Sequence, residues 1–544
     1  MTSVPTTTTT TTTTTSAADA ARRGPALVVL CFVQFMLVLD DNVVSVALPS
    51  IRDGLGFGAA GLSWVVNAYF LAFGGLLLLF GRMADLLGRR RVFLAGVALF
   101  GAASLLCGLA QEPWQLVTGR FVQGAGAAMC APAALAMITL LFPGPGERAR
   151  AFGVWGGIAG LGGTAGLVIS GALTGLASWR WIFLINLPVA LVTLALLPRL
   201  VPESLAGRAG RLDVPGAVLG TGALVSLVYG LLRTGESGWR DVGGVGPLVL
   251  AVVLAAAFVA VEARTAEPLV PLAFLADRFR AVANGATLLF SAAMYAMAFL
   301  LMVHLQTVLG YRPLAAGVAY LPYCAGILAG MWLSSRAVAW LGTRPALVLS
   351  FLISAAGILL LSGVTPDAGY ASGVLPGMLL TSLGCGLTLP ALTVAALTGA
   401  TEENAGLGSA VLSSVQQVGG AMGVAVLVAV AARRTDALAA REGPLPAATE
   451  GYSLALTVTA GLLVLGAVLV AALPGKGNRP VPPGRADGPV PPGRAVGPVP
   501  PGRADGPVPR GKADGPVPPG RAVGPVPPGR ADGPVPRGKA DGPA

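Results

Sequence analysis

Long apolar stretches recur through the first 473 residues of this sequence, and they constrain its fold more than any other feature. A helix needs about 20 mostly apolar residues to cross the hydrocarbon core of a bilayer. Fourteen stretches meet that requirement, and they lie near residues 27–48, 62–82, 92–110, 115–141, 150–173, 181–200, 214–233, 246–264, 283–304, 314–336, 344–363, 372–397, 406–432 and 451–473. The sequence therefore predicts an all-α integral membrane protein with fourteen transmembrane helices.

The balance of charged residues supports this class. Only 11% of the 544 residues are charged, whereas soluble domains carry about 25%. The net charge of +11 does not indicate nucleic-acid binding, because the three lysines lie in the C-terminal tail and most arginines lie in short loops. We expect the lipid bilayer as a partner and no nucleic acid.

Arginine placement predicts the orientation of the chain. Cytoplasmic loops of membrane proteins carry an excess of Lys and Arg. The loops on one predicted side of the first half contain Arg22, Arg23, Arg89, Arg90, Arg91, Arg148, Arg150, Arg199, Arg208 and Arg211. With an even number of spans, both termini are then cytoplasmic. The abundance of Ala, Gly and Arg is typical of a high-GC bacterium, so we expect the bacterial cytoplasmic membrane.

Two segments of the sequence resemble each other at a fixed shift. Gly81–Arg90 is echoed 254 residues later by Ser335–Arg344, and Gly119 and Pro132 are echoed 258 residues later. A parallel repeat is typical of transporters in which two helix bundles rock about a midplane site; chance similarity of two apolar halves is the alternative. The predicted divisions are a Thr-rich N-terminal tail (1–24), a six-helix bundle (25–201), a two-helix insert with its loops (202–280), a second six-helix bundle (281–474) and a C-terminal tail (475–544).

The two tails have biased compositions that cannot form a packed core. Ten threonines occupy residues 6–15, and a Pro-Val-Pro-Pro-Gly-Arg-Ala-Asp-Gly unit recurs every nine residues from Pro480. Such segments are predicted to be disordered. The C-terminal repeat is interpreted as a spacer, with weak attraction of its basic residues to anionic lipid as the alternative.

A few polar residues inside predicted spans are candidates for the transport site. Charges within a membrane are costly and usually functional. Asp40 and Asp41 lie in the first helix, while Arg120 and Gln123 share one face of the fourth. A carboxylate that exchanges protons is the minimum requirement for proton coupling. The alternatives are that the acidic pair lies at the outer membrane surface and that Arg120 is purely structural.

The fifth predicted helix is crowded with small residues. Gly162, Gly166 and Ser170 recur at a spacing of four, and Gly171 follows directly. Such a ridge permits close helix contact in membranes. No cofactor-binding motif accompanies these glycines. The five cysteines include no CxxC and the chain has one histidine, so neither a cofactor nor a metal site is expected.

The motifs described above resemble those of the major facilitator superfamily. Gly81–Arg90 is similar to its loop signature, and Arg120-Phe121-Val122-Gln123-Gly124 is similar to its helix-four motif. Two further segments resemble the 14-span drug:proton antiporter branch, namely Leu39–Pro49 and Trp179–Pro188. The resemblance covers residues 27 to 473.

This resemblance implies roles for individual residues. Asp40 and Arg120 would take part in proton coupling, and Gly166 would belong to the helix-five antiporter motif. A cytoplasmic latch between the two bundles would involve Asp85 and Arg89, with Glu402 and Glu403 as partners. The full predicted latch comprises Gly81, Asp85, Gly88, Arg89 and Arg90.

The resemblance also implies export of small lipophilic drugs or secondary metabolites in exchange for protons, by a monomer. Leu167 stands where the family commonly has a proline after Gly166, which affects the expected strength of antiport. The tenth helix lacks an acidic residue, so neutral, anionic or monovalent substrates are expected. The alternatives are an importer or exporter of another metabolite and a non-transporting sensor. An enzyme is not expected, because the sequence has no clustered Ser/His or Cys/His constellation.

Overall fold

A computed structural model describes residues 17–203, 212–238, 240–265, 268–270, 277–365, 368–397 and 405–472. Both predicted tails lie almost entirely outside these residues. The regular elements in the described ranges are sixteen α-helices and one π-helical turn at Tyr370–Val374. The α-helices are α1 (Ala17–Leu55), α2 (Ala59–Leu87), α3 (Arg89–Leu109), α4 (Pro113–Leu141), α5 (Pro145–Leu176), α6 (Trp181–Leu184), α7 (Asn186–Leu200), α8 (Val214–Ser237), α9 (Val242–Glu262), α10 (Arg278–Thr307), α11 (Pro313–Ala319), α12 (Leu321–Leu341), α13 (Thr343–Ser362), α14 (Leu375–Leu397), α15 (Ala405–Glu442) and α16 (Pro444–Ala471).

The predicted all-helical membrane fold is confirmed. Fourteen helical segments in the described part of the chain are long and apolar enough to cross a bilayer. Two of the fourteen are interrupted. The sixth is broken between α6 and α7, just before Pro188, and the tenth is broken at Tyr320, just before Pro322. Proline lacks the N–H that would bond to the preceding turn, so the chain bends at these points.

Two large hydrophobic clusters organise the described helices. One is built mainly from α1 to α5 and α7, and it also takes in the C-terminal half of α15 from Ala421 to Ala431. The other is built mainly from α10 to α14 and α16. The described residues belong to one compact unit. The division into two six-helix halves and an insert therefore stays a prediction.

Close contact among α2, α3 and α4 depends on glycines of α4. A Cβ on Gly126 would lie 2.8 Å from the backbone nitrogen of Phe100, and one on Gly124 would collide with the carbonyl oxygen of Tyr69. Only glycine permits helix backbones to approach this closely. This packing brings the polar side chains of α4 next to those of α2 and α3.

The first-half and second-half helices meet at the end of the bundle that carries the α1–α2 loop. The Gln306 side-chain amide of α10 donates to the Val46 carbonyl of α1 over 2.8 Å. A Cβ on Gly171 of α5 would lie 2.6 Å from the carbonyl oxygen of Pro313. At the opposite end of α5, no described atom lies within 4 Å of a Cβ built on Gly153 or Gly156. Helix α5 is thus closely packed against α11 at one end, whereas Gly153 and Gly156 face open space toward the other.

Candidate functional site

A buried ion pair between Asp40 of α1 and Arg120 of α4 forms the centre of the site. An Nη1 of Arg120 donates to Asp40 Oδ2 over 2.5 Å. The exposed fraction is 0% for the Asp40 side chain and 1% for Arg120. The sequence predicted both residues as candidates for the transport site, and the structure places them in direct contact.

Amide side chains complete the hydrogen bonding of this carboxylate. Gln123 Nε2 donates to Asp40 Oδ1 over 2.7 Å, and Asn186 Nδ2 donates to the same oxygen over 2.9 Å. Both amides also contact the Ser104 hydroxyl, at 2.8 and 3.3 Å. Side chains from α1, α3, α4 and α7 therefore form one network, which we call the polar hub: Asp40, Ser104, Arg120, Gln123 and Asn186.

The Arg120 guanidinium makes further contacts beside its bond to Asp40. Its Nε donates to the Val65 carbonyl of α2 over 3.0 Å, and its Nη1 donates to Gln123 Oε1 over 2.8 Å. The guanidinium carbon lies 4.4 Å from the centre of the Tyr69 ring, in a cation–π contact. An ion pair taken out of water is tolerated only when such additional bonds satisfy both partners. Removing one partner of a buried pair costs about 3–5 kcal/mol.

Asp41 occupies a different environment from its neighbour. Successive residues on a helix point in directions about 100° apart, so Asp41 does not share the contacts of Asp40. Its carboxylate lies next to the Tyr295 hydroxyl of α10, and the Tyr295 side chain packs against the first hydrophobic cluster. The Oδ1 atom of Asp41 is buried and has no hydrogen-bond partner. The structure thus separates the two acids into one saturated carboxylate and one with an unused acceptor.

Two tyrosines, Tyr69 and Tyr295, lie near this second carboxylate. The rings of Phe70 and Tyr295 pack edge to face with centres 4.7 Å apart, and Tyr69 lies 6.2 Å from Phe70. Asp41 therefore lies where α1, α2 and α10 come together. Neither tyrosine was predicted as a site residue, because an aromatic residue in an apolar helix gives no signal of its own.

The predicted latch residues lie at the α2–α3 turn. Arg89 donates to Asp85 Oδ1 from Nη2 at 3.0 Å and from Nε at 3.1 Å. Gly88 has a φ of +109°, which favours glycine strongly. Gly81 packs on Pro132 of α4. Glu402 and Glu403, the predicted partners of the latch, lie outside the described residues.

A residue that the sequence analysis missed anchors this turn. The Glu203 carboxylate accepts from the backbone N–H groups of Arg90 and Arg91, at 3.1 and 3.2 Å. These are free donors at the start of α3, where an acidic group is favourable. Arg90 reciprocates by donating to the Val201 carbonyl over 3.0 Å. A lone Glu after a span was indistinguishable from a solvated loop residue in the sequence.

The small residues of α5 face two different partners. Gly162 and Gly166 pack on the α1 backbone, with Cβ positions 3.3 Å from the carbonyl oxygens of Phe35 and Leu39 respectively. The Ser170 hydroxyl donates to the Val43 carbonyl of α1. Gly171 instead faces α11. The ridge therefore positions α1, and with it Asp40 and Asp41, while its end contacts the second set of helices.

The described cysteines and the histidine make no site together. All five cysteines are buried, and none forms a disulfide within the described part of the chain. His304 is buried beside Tyr452, with ring centres 5.8 Å apart. No group of three or more His, Cys, Asp or Glu able to hold a metal occurs among the described residues.

A fourteen-span helical fold with an intramembrane ion pair and this loop turn defines a membrane transporter. Residues 30–424 match the model of the Major Facilitator Superfamily. The chain belongs to that superfamily. It is therefore a multi-pass membrane transporter rather than an enzyme.

Its relatives include proteins named for antibiotic resistance and export. It is 44% identical to the puromycin resistance protein pur8 of Streptomyces alboniger over 464 residues, which are 83% of this chain and 91% of that protein. It is 39% identical to the cephamycin export protein CmcT of Amycolatopsis lactamdurans over 418 residues, 76% of this chain and 85% of that protein. These similarities place the chain with the drug-efflux branch of the superfamily.

The fold is also similar to solved transporter structures. A bacterial homologue of the human lysosomal transporter Spinster superposes with a TM-score of 0.57 at 18% identity, covering 82% of this chain and 96% of that one. At this level of identity, the similarity concerns the fold alone.

Proposed function

We propose that this transporter exports small lipophilic antibiotics or related secondary metabolites across the bacterial cytoplasmic membrane in exchange for protons. The observation that carries the proposal is the placement of two adjacent acids: Asp40 in a saturated ion pair with Arg120, and Asp41 with an unpartnered oxygen between α1, α2 and α10. The relatives named for puromycin resistance and cephamycin export supply the direction and the substrate class.

The two acids are assigned different tasks. Asp41 takes and releases the proton, because its free oxygen faces the junction between the two sets of helices. The polar hub holds the Asp40 charge against Arg120 and fixes α1 relative to α3, α4 and α7. Proton uptake at Asp41 removes a negative charge beside this ion pair, so protonation and the position of α1 are linked by electrostatics.

Alternating access would open the closely packed end of the helices and close the opposite end. The contacts of Val46 with Gln306 and of Gly171 with Pro313 close the end that carries the α1–α2 loop. The arginine distribution supports an outside position for that end. This arrangement then corresponds to an inward-facing state with both termini cytoplasmic. The Asp85–Arg89 turn would engage the second bundle when the cytoplasmic end closes.

The test is proton movement coupled to substrate in inverted membrane vesicles, with puromycin as the probe. The wild-type protein should release protons when puromycin is added and should lower the puromycin susceptibility of a pump-deleted host. An uncoupler should remove this protection. Protection that survives the uncoupler, at equal expression, would contradict proton coupling.

Variants of α1 separate the roles of the acids. Asp41→Asn should fold normally and lose proton release by tenfold or more. Asp40→Asn should also lose it, because the Arg120 charge is left without its counter-ion. Asp53→Asn is the matched control, since Asp53 lies on the same helix and its side chain is 72% exposed. Undiminished coupling in Asp41→Asn would overturn its assignment as the proton carrier.

A further inference from the structure

Two buried carboxylates close the base of the α8–α9 hairpin. Asp213 directly precedes α8, and Glu262 is the last residue of α9; they are 5% and 3% exposed. Asp213 Oδ1 accepts from the Gly216 N–H over 2.8 Å, which caps α8. Glu262 Oε2 accepts from the Val270 N–H over 3.2 Å. One oxygen of each carboxylate is thus satisfied by the backbone.

Within the described ranges, the other oxygen of each carboxylate has no hydrogen-bond partner. Asp213 Oδ2 and Glu262 Oε1 are both buried without a hydrogen bond. They also face one point, because a Cβ built on Gly216 would lie 2.5 Å from Asp213 Oδ2 and 3.0 Å from Glu262 Oε1. The two oxygens are therefore at most 5.5 Å apart, the sum of these two distances. Glycine at position 216 leaves the space between them open.

The surroundings of the pair are apolar. Leu79 of α2, Ala217 of α8 and Leu269 form a small hydrophobic cluster at this point. Among the described residues, the cations nearest in sequence to these contacts are Arg82 on α2 and Arg264 after α9, and neither forms a salt bridge with Asp213 or Glu262. Arg211, two residues before Asp213, lies outside the described residues. Two ionised carboxylates this close in an apolar site repel each other, so one of them retains a proton. A divalent cation would require six or more oxygen ligands, which this pair cannot supply.

We propose that Asp213 and Glu262 share a single proton and that this acid pair clamps the two ends of the α8–α9 hairpin together against α2. The protonated carboxyl supplies the O–H donor that both unpartnered oxygens lack. The proton remains in place during transport and is distinct from the one exchanged at Asp41. The clamp depends on pH, because loss of the proton leaves two buried like charges.

Infrared spectroscopy of the full-length protein in lipid tests for the proton directly. At neutral pH the wild type should show the carbonyl stretch of a protonated carboxylic acid. Glu262→Gln and Asp213→Asn should each lower the intensity of this band by the contribution of one protonated carboxyl. The reason is that the introduced amide then donates to the remaining carboxylate in place of the acid O–H. Asp41→Asn should leave this component unchanged. A band unaffected by both pair variants would overturn the proposal.

Thermal unfolding against pH provides a second readout. A proton held more tightly by the folded state stabilises it at low pH, and this stabilisation is lost as pH rises. The melting temperature of the wild type should therefore fall with rising pH more steeply than that of Glu262→Gln, with Glu450→Gln as the exposed-acid control. Equal slopes in wild type and Glu262→Gln would contradict the shared proton. If the melting temperature instead rises with added sodium in the wild type alone, the pair holds a cation and the shared-proton proposal is wrong.

Discussion

The polar hub lies in the first half of the chain, and the predicted repeat pairs its α4 positions with positions in the second half. The residues at these paired positions differ in chemistry. Arg120 and Gln123 correspond to Met378 and Thr381 at the shift of 258 residues. Met378 is fully buried, and Thr381 donates to the Gly377 carbonyl of its own helix. The first half therefore joins four helices through charge and amide groups, whereas the second half packs the same places with an apolar side chain and a self-satisfied hydroxyl.

At the compared positions, the electrostatic contacts therefore lie in the first half of the molecule. Another α14 residue, Thr388, reaches across to α13 and donates to the Ser350 hydroxyl over 2.9 Å, and both of these groups are neutral. Neutral hydroxyls stabilise helix contacts in membranes by modest amounts.

The strongest test of this comparison places a second-half residue at the corresponding first-half position. Arg120→Met leaves Asp40 buried without a counter-ion, so it should destabilise the protein by about 3–5 kcal/mol. Met378→Leu, a volume-conserving change in the second half, should cost less than about 1.5 kcal/mol. Melting temperatures in detergent measure both. Equal, small losses would mean that the ion pair contributes nothing to the folded state.

Individual donors of the hub allow a finer test. Asn186→Ala removes a hydrogen bond to the buried Asp40 charge, so it should cost about 1.5–3 kcal/mol. Ser354→Ala removes a hydroxyl that bonds within its own helix, and it should cost about 1 kcal/mol or less. Unfolding free energies of the two variants should differ in that order. The reverse order would refute a special role for the hub.

The smallest expected difference between the two halves is the effect of replacing Gly88 or Gly342, which form equivalent turns, by alanine. Both glycines have positive φ, +109° and +85°, so replacement by Ala strains each turn by roughly 1–2 kcal/mol. A Cβ at position 88 would also lie 2.6 Å from Glu203 Oε1. Gly88→Ala should therefore slow transport beyond its effect on stability, whereas Gly342→Ala should not. Transport rates normalised to folded protein compare them.

Much of the fold was predictable because membrane helices follow a strong compositional rule. Fourteen apolar stretches were sufficient to identify fourteen spans. The helix breaks near Pro188 and Pro322 were harder, because membrane helices tolerate proline when neighbours satisfy the backbone. The spacing of apolar residues alone does not show which prolines interrupt a helix.

The candidate site was predictable where charge marks it. Asp40, Arg120 and Gln123 stood out because charged and amide groups are rare in spans. Asn186 and Ser104 did not, since their role arises from the approach of α7 and α3 to α1. The unequal environments of Asp40 and Asp41 also required three-dimensional packing, because adjacent acids look alike in the sequence.

The length of α15 has a consequence for studying this protein. Its 38 residues correspond to about 57 Å of helix at 1.5 Å per residue, well beyond the roughly 30 Å hydrocarbon core. Arg434 near its end pairs with Glu450 of α16, and Gly443 turns the chain between the two helices. The hairpin therefore extends past the bilayer as a rigid projection. A helical tag fused at that turn would serve as an orientation marker in electron micrographs.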